Sequence, residues 1–276
     1  MLLKNHKIYT AEKVLGKLTI EEDIKKQIKI GSYANDLCEL TNEFSVIVGY
    51  QEKAVPKFSQ IIDQMGELKE KGAEELTPAI YESHFGGFSS LHAMANDAGE
   101  DPEKTKDIVS LWFDSFNMIA LGREITPNNK ICQDDIPIGK YLLLNKIYNT
   151  YNELFDSSDA FEIKYRAVGM MCHLIQDSFT VSHCKRDSLG RIEKFYHYNS
   201  QSKNKHRKYD NAFEEHEDEL IRHCKICINS LVVQRKKYDY SELFMLSDSV
   251  QPADGGTMFA KSGFELIWSW LTSLFK

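Results

Sequence analysis

Two short stretches of this 276-residue chain carry side chains able to hold a metal ion. The first runs Cys172-His173-Leu174-Ile175-Gln176-Asp177-Ser178-Phe179-Thr180-Val181-Ser182-His183. On a helix, His173 and Asp177 stand four residues apart and leave the same face. Imidazole nitrogen and carboxylate oxygen are both good zinc ligands. Ala167, Met170, Met171 and Leu174 precede or separate them, an apolar set that sinks the helix into a core. A polar pair buried on such a helix needs partners, because leaving it unpaired is costly. His183 falls just past the expected helix end, where the chain can curl back. The second stretch, His206-Arg207-Lys208-Tyr209-Asp210, repeats imidazole and carboxylate at the same spacing. One such pair alone is more often a surface or capping contact than a ligand pair. Two pairs facing each other across a helix groove, with His183 between them, point to a metal site of the kind helix bundles build.

The elements that must position these residues read as helical nearly throughout. Apolar residues recur at helical spacing over 20–40 and over 57–71, where Phe58, Ile61, Ile62 and Met65 form one stripe. Asp101-Pro102-Glu103 opens another helix, since Pro suits a first turn, and Gly122 closes it. A further helix is expected over 139–155. Asp159 with Glu162 resembles a capping box that starts a helix running to about 179. The polar stretch 185–205 reads as loop with a turn or two near 192–198. A long helix is expected over 206–233, a Pro- and Gly-bearing loop over 251–257, and a last amphipathic helix over 258–275 with Trp268 and Trp270. No segment shows convincing strand alternation. The expected fold is all-α, one helical-bundle domain over 1–276 with a multinuclear zinc cleft.

Composition excludes several classes. Hydrophobic residues make up 42%, with few Gly and Pro, so a disordered or fibrous chain is not expected. The formal charge of −7 offers no global field to attract phosphate backbones. No apolar run is long enough to span a bilayer. Residues 1–17 lack a signal-peptide core, so a cytoplasmic location is expected, or export by a route without a cleaved signal. Six scattered Cys suit a reducing compartment, and Cys224-x-x-Cys227 has no second pair to complete a zinc site.

The pattern His173-x3-Asp177-x5-His183, followed by His206-x3-Asp210, resembles the signature of zinc-dependent phospholipases C and single-strand-specific zinc nucleases. The words around it fit: AVGMMCHLIQDSFTVSHCKR resembles the family's apolar ligand helix, and RIEKFYHYNSQSKNKHRKYD its linker into the last ligand helix. The likeness is specific over about 160–215 and loose before it. It implies an all-α phosphodiester hydrolase with about two to three zinc ions, acting on phospholipids or, alternatively, on single-stranded nucleic acid or nucleotides. It also implies ligands upstream: His6, Asp36 in GSYANDLCE, and His84 in ESHFGGFSSLHAMA, with His92 competing for the last place. By carry-over, Asp36, His84, His173 and Asp177 hold one ion. His183, His206 and Asp210 hold a second, and a third shares Asp177 with His6 and the N-terminal group. Paired zinc lowers the pKa of a bridging water and neutralises phosphate charge, with Asp36 as candidate general base. Family members usually expose an N-terminal Trp at the third ion; here the sequence reads Met1-Leu2-Leu3.

Lys185, Arg186 and Arg191 follow His183 and are read as a solvated loop, with substrate phosphate as the alternative. His197, His216 and His223 receive no role. Net acidity and the apolar loop 85–91 favour a phospholipid substrate with peripheral membrane contact. Phe195, Tyr196 and Tyr198 are the residues a nuclease would use to stack bases. A non-catalytic zinc-binding interaction module is the reading from another class.

Overall fold

The computed structural model describes residues 13–37, 87–145, 150–209, 213 and 216–259. The helix expected over 57–71, and residues 260–275 of the last expected helix, lie outside them.

Helices α1 (Glu22–Leu37), α2 (Pro102–Ala120), α3 (Gly139–Asn145), α4 (Tyr151–Phe155) and α5 (Ala160–Phe179) come first. A hairpin of β1 (Cys184–Arg186) and β2 (Ile192–Phe195) follows, then α6 (Lys203–Tyr209) and α7 (Glu217–Ile228). Helix α5 is the axis of the arrangement. Every residue from Tyr165 to Phe179 is buried. A helix covered all round has to be a central one, and α1, α2, α4 and α7 all pack on it.

The tightest of these contacts is made by two glycines. A Cβ on Gly31 of α1 would lie 2.1 Å from the Arg166 carbonyl oxygen, and one on Gly169 of α5 would lie 2.1 Å from that of Ile28. Any side chain there forces the helices apart. Glycine inside a helix costs roughly 1 kcal/mol, and here the cost yields backbone-to-backbone approach. Arg166, buried one turn before Gly169, secures the same seam. It donates from Nε to Gln27 Oε1 of α1 (3.0 Å), from Nη2 to Glu162 Oε2 (2.7 Å), and from Nη1 to the Phe155 carbonyl ending α4 (3.0 Å).

Caps explain where elements begin. Asp101 accepts from Glu103 N–H at the start of α2, and Gly122 follows its end at φ 90°, as the sequence leads one to expect. Asp159 caps α5 through Phe161 N–H. Glu162 does not complete a box there: its carboxylate takes Ser157, Gln27 and Arg166 instead. The expected helix 139–155 is divided. Thr150 and Glu153 form a full capping box that starts α4 anew. The expected long helix 206–233 is divided as well, into α6 and α7 with His216 at the N-cap of the latter, and ends in a π turn, Asn229–Val233.

The stretch read as loop from 185 contains antiparallel strands, paired Cys184 with Phe195 and Arg186 with Ile192. The fold remains helical; this two-stranded hairpin is the only sheet among the described residues. No helix among them is long and apolar enough to cross a membrane.

Candidate metal centre

Three elements converge at one end of α5. The first is a 3-10 turn, Ser89–His92, ended by Ala93 in the left-handed region at φ 53°. Core contacts fix it. Phe88 packs edge-on against Trp112 of α2, and the Trp112 indole donates to Ser90 Oγ (3.2 Å). Asn35 of α1 donates to the Leu91 carbonyl (3.0 Å). Leu91 and Phe88 are fully buried, so from Phe88 on the apolar loop 85–91 is core and presents no face to lipid.

The second element is α5 itself, which supplies His173 and Asp177, both with no exposed surface. Because Gly31 and Gly169 let α1 approach, the Ser32 carbonyl reaches His173 Nδ1 at 2.8 Å. A carbonyl can only accept, so Nδ1 carries the proton. The third element is the bend after α5, where His183 Nδ1 donates to the His92 carbonyl (2.8 Å).

The ring nitrogens then meet one carboxylate oxygen. Asp177 Oδ2 lies 2.8 Å from His173 Nε2 and 2.8 Å from His92 Nδ1, and those two nitrogens are 3.3 Å apart. A neutral imidazole donates once, and His173 already does so to Ser32. Its second nitrogen can face a carboxylate at 2.8 Å only as imidazolium or with a cation between them. Zinc–ligand bonds of about 2.0–2.1 Å in a tetrahedron space the ligand atoms roughly 3.3 Å apart. The three atoms therefore stand at or slightly inside zinc spacing. Asp177 Oδ1 is buried with no hydrogen-bond partner among the described residues, a further position a cation would satisfy. Burial opposes ionisation of Asp177, yet the facing His173 and His183 hold its carboxyl well below the usual carboxylate range. The residues present fit a metal ion.

Beside this group the His183 and His206 rings stack, 5.1 Å between centroids. His206 stands on α6, with Nδ1 on Gln201 Oε1; Gln201 in turn donates to the Ser182 carbonyl at 2.8 Å. His206, the imidazole of the second pair expected from the sequence, is thus brought against His183. Asp36 lies in the last turn of α1, one turn beyond Ser32. His6, His84 and Asp210 lie outside the described residues. His92, the competitor to His84, is the histidine found with His173 and Asp177 in a group able to hold a metal.

Sequence reasoning passed over the Ser32 carbonyl and the two glycines that deliver it. Gly31 and Gly169, each inside a helix, were the available signal.

Lys185, Arg186 and Arg191 do not form a solvated loop. Lys185 pairs with Glu193, and Arg191 bonds Asp187 and Asp248. The Arg186 guanidinium lies over the Phe179 ring at 4.3 Å and donates to three carbonyls. His223, given no role from sequence, is buried against the Tyr238 hydroxyl (2.8 Å). Burial, with Arg222 and Arg186 nearby, pushes its pKa down to about 4. Cys224 and Cys227 are buried on α7, and the described cysteines are all free thiols.

Residues 102–243, just over half of the chain, match the family described as zinc dependent phospholipase C. No curated protein and no solved structure matches the chain.

Proposed function

This chain belongs to the zinc-dependent phospholipase C family, and from that premise we propose that it hydrolyses the phosphodiester bond holding a phospholipid headgroup. The observation that carries the proposal is the convergence of His92 Nδ1 and His173 Nε2 on Asp177 Oδ2. Zinc, when bound, supplies a Lewis acid for the phosphoryl oxygens and activates water near neutral pH.

The chain's own residues do the rest. Asp177 supplies the shared carboxylate. The Ser32 carbonyl fixes the tautomer of His173, and the His92 carbonyl that of His183; such outer bonds orient ligands and raise their basicity. His183, His206 and Asp210 are the proposed second ligand set, and Asp36, at the end of α1, the proposed general base. His6 belongs to a third set, and residues 1–276 are treated as one domain. Of the two upstream candidates His92 is the proposed ligand, a reading supported by its approach to Asp177 and His173.

The nuclease reading loses two of its three stacking residues. Phe195 and Tyr196 are buried; Tyr198, half-buried with its ring 4.5 Å from His206, is the one positioned to meet a base.

The test incubates zinc-loaded protein with phosphatidylcholine vesicles and, in parallel, with single-stranded DNA. Release of a phosphorylated headgroup, lost in His92→Ala and retained in His84→Ala, is the expected result. Cleavage of DNA alone would move the assignment to the nuclease side. Cleavage of neither would leave a zinc-binding module.

A further inference from the structure

The β1–β2 hairpin, α7 and Phe179 line a cavity of about 210 Å³. Arg186, Gly190 and Arg191 line it from the hairpin, and Glu219, Arg222 and His223 from α7. Its chemistry is set by one guanidinium. Arg186 donates from Nε to the Ser178 carbonyl (3.0 Å) and from Nη1 to the carbonyls of Gly190 (2.6 Å) and Leu243 (3.0 Å). Its Nη2 is buried and meets no acceptor among the described residues. A buried donor without an acceptor forfeits its hydration, and arginine cannot escape by giving up its proton. The fold therefore holds one end of a charged fork ready for an acceptor it does not itself provide.

The neighbours reinforce this. Arg222, half-exposed, spends one donor on His223 Nε2 (3.0 Å), and its carboxylate partner Glu242 stands off at 4.0 Å. That bond makes His223 Nε2 an acceptor, so His223 is neutral and donates from Nδ1 to Tyr238. Arg191 is already neutralised by Asp187 and Asp248, while Glu219, 3.2 Å from His216, remains a carboxylate whose field reaches Arg186. Arg186 and Arg222 are left as cations with unspent donors, facing Glu219 and Glu242 as the two carboxylates of the lining without a full ion pair.

We propose that this cavity is a subsite for a compact phosphate-type oxyanion, gripped by Arg186 and Arg222. Guanidinium forks match phosphate oxygens in pairs. The cavity is smaller than the roughly 300–1,000 Å³ that whole drug-sized ligands occupy, so it admits a phosphate group and not a nucleotide or a lipid body. Two sources of that group fit. Leu189 at the hairpin tip is 74% exposed and Met245 50% exposed, both at the cavity; an apolar pair beside a phosphate grip suits a phosphomonoester headgroup at a lipid surface. Free phosphate, the other source, needs neither.

The test is calorimetric titration of inorganic phosphate into the full chain. Asp177→Asn is measured beside the wild type, so that phosphate at the metal centre is told apart from phosphate here. The expected result is that Asp177→Asn still binds phosphate, and that adding Arg222→Ala to it weakens binding by about tenfold or more. Arg222 is half-exposed, so this change spares the fold, and an unchanged melting curve checks that. No binding by Asp177→Asn, or equal binding with and without Arg222, would overturn the subsite. Sedimentation with phosphatidylcholine vesicles, with and without phosphatidic acid, then separates the sources. Arg222-dependent binding only to the phosphatidic acid vesicles identifies the headgroup, and phosphate binding without vesicle binding identifies the soluble anion. The Asp177→Asn arms contain no working metal centre, so this outcome and that of the hydrolase test are independent.

Discussion

The metal centre and the hairpin cavity both bury histidine beside aromatic and charged groups, and they treat it in opposite ways. In the candidate centre, His92 and His173 meet the Asp177 carboxylate at 2.8 Å and His183 Nδ1 lies 3.8 Å from it, while backbone carbonyls accept from Nδ1 of His173 and of His183. In the cavity, His223 faces two arginines and a tyrosine hydroxyl and stays neutral. Burial is nearly the same in both. What separates His173, a candidate ligand, from His223, a core histidine, is the sign of the charge its second nitrogen meets.

The largest effect expected from breaking this contrast is at the shared carboxylate. Asp177→Asn removes the charge on which two imidazoles converge. Loss of an outer-sphere partner typically costs 10–100-fold in metal affinity or activity; loss of a ligand should cost more than about a hundredfold in hydrolysis.

Next comes the seam that delivers the Ser32 carbonyl. Gly169→Ala places a methyl 2.1 Å from the Ile28 carbonyl oxygen. The helices must part, and the stability lost should exceed about 3 kcal/mol, as overpacking of a core does at its upper end. Denaturant unfolding measures it. Zinc content should fall in the same variant, because His173 loses its tautomer-setting bond.

On the other side of the comparison, His223→Ala leaves the Tyr238 hydroxyl without its buried partner and should cost about 1–3 kcal/mol, with zinc content unchanged. The pH dependence follows from the same residue. Its folded pKa is depressed to about 4 from an ordinary 6.5, so between those values the unfolded chain takes up the proton and the folded chain does not. Stability from this group is therefore full above about pH 6.5 and is lost as pH falls toward 4. The wild type should lose stability through that window more steeply than His223→Ala, as read by melting temperature against pH. The smallest effect belongs to Arg191→Ala, which removes a partly exposed ion pair in the hairpin loop and should leave the melting temperature nearly unchanged.

Much of this was legible in the sequence where the signal is local. Asp101-Pro102 and Gly122 bracket α2, and Asp159 and Phe179 bracket α5, because caps and apolar periodicity act within a few residues. The break before α4 was legible too, since Thr150 and Glu153 spell a capping box inside the apolar run 139–155 that hid it. The hairpin was not. Its strands have three and four residues, too short for alternation to show, and they are held by Arg186 bonding to Ser178 and Leu243, contacts that no local pattern announces. At the candidate site, spacing on α5 put His173 and Asp177 on one face, and the two side chains do meet there. Placing His92 beside them depends on Trp112, Asn35 and the Gly31–Gly169 approach, all distant in sequence.

The most direct test of the central claim is the zinc content of the purified chain, by elemental analysis, with Asp177→Asn alongside. About two to three ions per wild-type chain, fewer in the variant, with headgroup release lost in step, is the result predicted here. Equal zinc in both chains, or none in either after reconstitution, would contradict it.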